Sequence, residues 1–478
     1  MIFFPRAASF EDLSARYGPC YRWLVLIVVG AGIVAGVLCT TSFGVAVPAM
    51  IRSFGLGQDQ VQWAMTGFML AMTLAMLPTS WLLDRFGFRC VFLTAVTMLA
   101  VASVGGYLSP DFTWVVCARI LQGAATGIMQ PLGVIAVMRL FPPQIQGRAS
   151  GFLSFGIVLA PAVAPALGGL LLDRFGWQTI FLGALPFCLL ALFSGLVLLP
   201  RSKDRASKGF DWAGSAMLTI ATLSLVEATV SLQNQGFWAP WTLAMLAGTV
   251  VTLFFFVWYV RRAESPIISP RVFRLRSFAM GCVVSFAYGF GLYASSYLIP
   301  VFLQSALGFS ATAAGFALIP SGVLLALTIP IAGNMADRLS PQWITAGGLG
   351  LFGLSFLLFA TFGGRITHTE LVGTTMLGRM GLGLILPALS LATLKHLDAG
   401  QLAESSVAIS YTRQLGGVLG IAMTAVFVEW RESVYGRVAP GVYKAYSQSF
   451  LLLSLVFMLA VTAACFMKSN PRSVPLGS

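Results

Sequence analysis

Charge is what this sequence has least of. Only 9% of the 478 residues are charged while 58% are hydrophobic, and the mean hydropathy is +0.87. A chain so poor in charge cannot cover a water-facing surface, so a soluble globular protein is excluded and most of the residues belong in lipid. Acids are scarcer than bases, 16 Asp and Glu against 29 Lys and Arg, and there are two histidines, His368 and His396. Both histidines fall in predicted connections, where a solvated side chain is expected rather than a pH sensor. The seven cysteines (Cys20, Cys39, Cys90, Cys117, Cys188, Cys282, Cys465) stand singly, with no C-x-x-C pair. They read as small packing residues, and neither a metal site nor a cofactor is expected. Also missing are H-E-x-x-H, G-x-S-x-G and the phosphate-binding G-x-x-x-x-G-K-[ST], so a membrane enzyme and an ATP-driven pump both lack a catalytic constellation. Gly348-Leu349-Gly350-Leu351-Phe352-Gly353 fits G-x-G-x-x-G, but it lies in an apolar run with no strand before it and is expected to serve helix packing.

What the chain does have is long apolar runs. Spans of roughly 20 residues are predicted near 23–48, 60–80, 90–108, 112–138, 148–172, 177–199, 211–231, 240–261, 278–303, 311–333, 343–362, 369–394, 404–430 and 448–467. They imply an all-α polytopic membrane protein with 14 transmembrane helices and no sizeable soluble domain. The first 22 residues hold Glu11 and Asp12 and no apolar signal core, so the first span is expected to act as its own insertion signal. The net charge of +13 is spread over short segments between spans, the mark of membrane topology rather than nucleic-acid binding. Segments on the side of the termini carry Arg85 and Arg89, Arg139 and Arg148, Arg201 to Lys208, and Arg261 to Arg276. The opposite side carries Arg52, Arg174, Arg365, Arg431, Arg437 and Lys444. Both termini are therefore expected in the cytoplasm.

An internal repeat organises the spans. Asp84-Arg85 follows the second span and Asp337-Arg338 the tenth, while Gly127 with Pro131 in the fourth matches Gly383 with Pro387 in the twelfth. The expected layout is a segment 1–22, an N-terminal six-helix half 23–200, two inserted helices with basic linkers 201–276, a C-terminal six-helix half 277–467 and a tail 468–478. Duplicated halves are a transporter architecture.

The stretch Ser80-Trp81-Leu82-Leu83-Asp84-Arg85-Phe86-Gly87-Phe88-Arg89 resembles the signature loop of the major facilitator superfamily, G-x-L-a-D-R-x-G-R-[RK]. The resemblance narrows to the fourteen-helix drug:proton antiporter branch at Tyr297 to Gln304, Leu307 to Ser310, Arg413-Gln414-Leu415-Gly416-Gly417 with Gly420, and Asp211-Trp212-Ala213-Gly214. It implies a gating latch at Asp84, Arg85, Gly87 and Arg89, repeated at Asp337 and Arg338, in which a carboxylate meets a helix N-terminus and an arginine. The alternative for Arg85 and Arg89 is topology anchoring. In the fifth span, Ala160-Pro161-Ala162-Val163-Ala164-Pro165-Ala166-Leu167-Gly168-Gly169 is similar to the antiporter motif G-x-x-x-G-P-x-x-G-G, with alanine at 160 and 164. Pro161, Pro165, Gly168 and Gly169 are its expected helix-interface hinge, the alternative being ordinary small-residue packing.

Charge inside the spans is costly and marks function by default. The candidates are Arg119, with Gln122 beside it in Arg119-Ile120-Leu121-Gln122-Gly123, then Glu227, Arg379 and Arg413. Arg119 looks like the family's fourth-helix motif for proton transfer; any of the arginines could instead satisfy carbonyls or snorkel. The branch usually carries an acid in its first helix, within D-x-T-I-V-N-V-A-L-P, and Cys39 stands there instead. Glu227 is then the one acid deep in a predicted span, on an inserted helix. A cavity lined by arginines without a facing acid would favour anionic or amphipathic-acid substrates.

The resemblance implies a proton-coupled exporter of amphipathic small molecules, drug-like or fatty-acid-like, working by alternating access in a bacterial inner membrane. An importer or facilitator of an anionic metabolite on the same fold stays open. The expected partners are substrate, protons and lipid. A monomer is expected, and a periplasmic adaptor would find little surface on the short non-cytoplasmic connections.

Overall fold

The computed structural model describes residues 10–467 except 57, 201–208, 264, 265, 310, 396, 399, 437 and 439, and leaves undescribed the side chains of 10, 44, 45, 48, 58, 59, 62, 161–171, 173, 233, 234, 311 and 312. The described residues form helices: α1 (Phe10–Tyr17), α2 (Tyr21–Phe54), α3 (Gln58–Ala75), α4 (Thr79–Tyr107), α5 (Phe112–Leu140), α6 (Gln146–Phe175) and α7 (Leu185–Leu198, entered through a 3-10 stretch Trp177–Ala184). Next come α8 (Trp212–Gln235), α9 (Pro240–Val260), α10 (Arg276–Val301), α11 (Ala311–Arg338), α12 (Pro341–Phe362), α13 (His368–Leu394), α14 (Leu402–Tyr435) and α15 (Gly441–Cys465). Every expected span coincides with a helix. Among the described residues, eleven helices are long and apolar enough to cross a membrane. α3, α6 and α14 are not among these eleven; α3 opens on Gln58-Asp59-Gln60, and α14 carries Glu404, Arg413, Gln414, Glu429, Arg431 and Glu432.

Helix ends differ from the expected ones for local reasons. The segment before the first span contains α1, whose first turn holds Glu11 and Asp12 and whose last holds Arg16, complementing the helix dipole. The second span was expected to run to 80, yet α3 ends at Ala75 and α4 begins at Thr79, just after Pro78. α15 begins seven residues before the expected 448.

The chain divides into two compact units. One comprises Met1–Ser215 with Leu402–Ser410, the other Ala216–Gln401 with Tyr411–Ser478, so the helices α8 and α9 group with the second. Within the first unit α5 packs on α2, α3 and α4, and α7 on α2 and α4. Within the second, α13 packs on α10, α11 and α12, and α15 on α10 and α12. The packing scheme is thus the same in each, as the Gly127/Gly383 correspondence requires. A Cβ on Gly127 would overlap the Met72 carbonyl of α3, and one on Gly383 would come within 2.9 Å of Thr328 of α11. In lipid, where apolar burial between helices gains nothing over lipid contact, such small-residue contacts and the dispersion they allow hold helices together.

The two central helices also start alike. Asp111 caps α5 by accepting from the Trp114 N–H at 2.7 Å, and Thr367 caps α13 in a reciprocal box with Glu370. Gly348 sits against the Gly381 carbonyl, so the G-x-G-x-x-G run is a helix contact as expected.

Candidate functional site

The first unit gathers polar groups around Arg119, two turns into α5. Gly123 and Gly127 let α5 approach α3 closely, since a Cβ on Gly123 would overlap the Phe68 carbonyl. That approach lays the Phe68 ring 4.1 Å from the guanidinium, with the Phe43 ring of α2 at 4.2 Å. Arg119 donates from Nη1 to the Cys39 carbonyl (2.9 Å) and to Gln122 Oε1 (3.1 Å), and from Nε to the Ala64 carbonyl (3.3 Å). Gln122 passes the network on, donating to Ser103 Oγ at 2.9 Å, and Ser103 is hydrogen-bonded to the Cys39 thiol. Arg119 is 2% exposed, and its partners among the described residues are carbonyls, an amide and two rings, with no carboxylate. Each desolvated cation–π contact contributes on the order of 2 kcal/mol. Cys39, which stands where the resembled branch has an acid, meets Arg119 through its peptide carbonyl.

The second unit holds a different cationic cluster. On α14, Gly416 and Gly420 face the Phe286 and Phe290 carbonyls of α10, and Gly289 of α10 lies under the Arg413 carbonyl. These contacts draw α10 and α14 together at Arg413. Gly417 makes room for the Tyr293 ring, and Gln414, 3% exposed, hydrogen-bonds Tyr293. Arg413 and Arg379 of α13 both act electrostatically on the buried Tyr288, and Arg413 also on Tyr293. Unlike Arg119, both arginines are only half-buried.

The expected gating residues lie in helix rather than loop. Asp84 and Arg85 occupy the opening turns of α4, both exposed, and the helix bends at Gly87, whose φ of +75° and ψ of 163° favour glycine. Arg85 lies over the Trp81 ring at 5.3 Å. Arg89 donates to the Leu196 (2.7 Å) and Leu199 (2.9 Å) carbonyls, and Tyr21 to that of Leu198 (2.8 Å), which together satisfy the end of α7. Asp337 and Arg338 are the last residues of α11. The side chains of Pro161, Pro165, Gly168 and Gly169 lie outside the described residues, although their backbone is part of α6. His396 and the basic linker 201–208 also lie outside them. His368 is exposed at the start of α13.

A family model described as Major Facilitator Superfamily matches residues 28–264 and 281–477. The chain belongs to the major facilitator superfamily. Among similar proteins of this superfamily is the multidrug resistance protein B homolog of Mycobacterium tuberculosis, 31% identical over 416 residues, covering 85% of this chain and 77% of that protein. The tetracenomycin C resistance and export protein of Streptomyces glaucescens is 29% identical over 434 residues, covering 87% and 80%. Among solved structures, the human organic anion transporter MFSD10 superposes with a TM-score of 0.68 at 17% identity, covering 93% of this chain and 99% of that one. The Escherichia coli fucose:proton symporter FucP does so at 0.65 and 14% identity, covering 93% and 98%. The fold is therefore that of major facilitators, and the chain is a multi-pass membrane transporter.

Two acids of this transporter stand in polar company. Glu227 is half-buried on α8, where the Trp241 indole N–H of α9 donates to it at 3.3 Å. Glu432, half-buried near the end of α14, is hydrogen-bonded to the fully buried Tyr446 of α15, which also bonds Ser305. Sequence reasoning missed Glu432 because the expected span stopped at 430, two residues short. It also missed Phe43 and Phe68, whose signal was faint among 37 phenylalanines. Tyr288 and Tyr293 were the more legible omission, being polar aromatics in an apolar run near the Gly289-x-Gly291 pair.

The branch motif Asp211-Trp212-Ala213-Gly214 has a structural explanation. Asp211 Oδ1 accepts from the Gly214 N–H at 2.8 Å and caps α8, and a Cβ on Gly214 would overlap that carboxylate.

Proposed function

We propose that this chain is a proton-coupled exporter of amphipathic small molecules, working by alternating access in a bacterial inner membrane. The observation that carries the reading is its similarity, along 85–87% of its length, to proteins named for drug resistance and export. The reading includes fourteen crossings with both termini cytoplasmic, supported by the placement of Lys and Arg between the expected spans. The layout then has segment 1–22, halves 23–200 and 277–467, the inserted pair within 201–276 and tail 468–478. Asp84, Arg85, Gly87 and Arg89, with Asp337 and Arg338, form the gate in this reading. Pro161, Pro165, Gly168 and Gly169 form the hinge. Arg119, Gln122, Glu227, Arg379 and Arg413 carry substrate and proton coupling. Glu227 is the first proton carrier to test, with Glu432 as the second acid.

The test is transport by the purified chain in proteoliposomes with an imposed pH gradient, offered cationic dyes and fatty or aromatic acids. Gradient-driven movement that is lost in Glu227→Gln supports the exporter and names its proton carrier. Gradient-independent movement, unchanged in Glu227→Gln and Glu432→Gln, would replace it with a facilitator of an anionic metabolite. Among the described residues no carboxylate partners Arg119, and that is the observation that favours the second reading.

A further inference from the structure

We infer that the α10/α13/α14 cluster of the second unit, Arg379 and Arg413 with Tyr288, Tyr293 and Gln414, is the binding site for the acidic group of an amphipathic organic anion. The inference rests on the transporter reading above and adds the substrate's charge and the residues that read it. Two arginines supply hydrogen-bond donors in fixed forks, and phenolic hydroxyls supply more, which is the donor set a carboxylate, sulfonate or phosphate requires. The Tyr288 phenol bears electrostatically on both Arg379 and Arg413, and the Tyr293 phenol on Arg413. Neutral phenols leave the positive charge of the guanidinium groups in place, so the cluster attracts anions and repels cations.

Geometry fixes the site. Gly289 under the Arg413 carbonyl and Gly417 against the Tyr293 ring hold α10 and α14 in contact there. On the third helix, Gly378 and Gly381 seat α13 against Ser355 and Phe352 of α12. Arg379 is therefore presented from a rigid element, as a recognition site needs. The contrast with the first unit identifies which arginines can meet a ligand. Arg119 is 2% exposed and spends its donors on Cys39, Ala64 and Gln122 between two phenylalanine rings. Arg379 and Arg413 keep part of their surface open.

The test is equilibrium dialysis of the purified full chain in detergent against naphthalenesulfonate and naphthyltrimethylammonium, which share a ring and differ in charge. Detergent-only binding is subtracted. The wild type is expected to bind the sulfonate at least about tenfold more tightly than the ammonium compound. Arg379→Gln and Arg413→Gln should each lose about tenfold in sulfonate affinity with no loss for the ammonium compound, and Arg379→Lys and Arg413→Lys should lose less. Arg274→Gln, at an exposed position, removes the same charge elsewhere and should change nothing. Equal affinities, or a preference for the cation in the wild type, would overturn the inference even if a variant failed to fold. So would an anion preference that survives both glutamine variants. Because binding is read without a gradient, sulfonate selectivity without pH-driven transport would retire the exporter and leave the site standing. Transport without sulfonate selectivity would do the reverse.

Discussion

Both units bring an arginine to a glycine-lined helix crossing, but they use it differently. In the first, α5 closes on α3 at Gly123 and Gly127, and Arg119 is sealed between Phe43 and Phe68 with helix carbonyls for partners. In the second, α14 closes on α10 at Gly416 and Gly420, and Arg413 stays half-buried with Arg379 beside two tyrosines. Since α5 corresponds to α13 in the repeat and α14 follows α13 as α6 follows α5, the two units keep the packing scheme and set the crossing arginine on different members of it. Two phenylalanine rings close on the Arg119 guanidinium and make it a structural rivet, whereas Arg379 and Arg413 stand beside tyrosine and keep part of their surface exposed.

The largest effect should come from Arg119→Ala. It removes the hydrogen bonds to Cys39, Ala64 and Gln122 and empties the ring sandwich, for a loss of about 2–5 kcal/mol. Thermal unfolding of the purified protein should register this as a clear drop in Tm, and unfolding at the wild-type temperature would break the comparison. Arg119→Lys should recover part of the loss, because an ammonium cannot stack its plane between two rings. Next come Gly123→Leu and Gly420→Leu, each forcing a side chain onto a backbone carbonyl of the facing helix. Each should cost about 1–3 kcal/mol or more.

Arg379→Gln belongs third. Its unfolding temperature should stay close to that of the wild type while uptake of an aromatic acid falls about tenfold, equivalent to about 1.4 kcal/mol. A large loss of stability would make it a second rivet. Trp241→Phe should have the smallest effect, removing one 3.3 Å hydrogen bond to Glu227 at the exposed α8–α9 face, for about 1 kcal/mol or less. If that variant nevertheless alters the pH dependence of uptake, Glu227 takes the coupling role.

Much of the fold was legible because lipid leaves few options: a run of apolar residues must be helical, and charge must lie at its ends. The repeat was legible as well, since Gly127 and Gly383 are the points where a helix backbone approaches its neighbour. Helix ends were less so. Pro78 and Gly87 mark a break and a bend, but hydropathy alone does not report that Asp84 and Arg85 sit in helix. At the site, residue type gave the arginines away, because an ionisable group within a span stands out against its neighbours. What each arginine does was hidden, since it depends on which face of α2, α3 or α10 turns toward it. Phe43, Phe68 and Tyr288 come from other helices, tens to more than a hundred residues away along the chain. Arg89 shows the same limit: the motif suggested a gate, and the fold adds a cap on the last carbonyls of α7.

The division between rivet and binding site can be tested by measuring Tm and gradient-driven uptake of an aromatic acid side by side for Arg119→Lys and Arg379→Lys. The account predicts a lowered Tm for Arg119→Lys, and an unchanged Tm with reduced uptake for Arg379→Lys. A stable Arg119→Lys that loses uptake, alongside a destabilised Arg379→Lys that keeps it, would contradict the account and exchange the two roles.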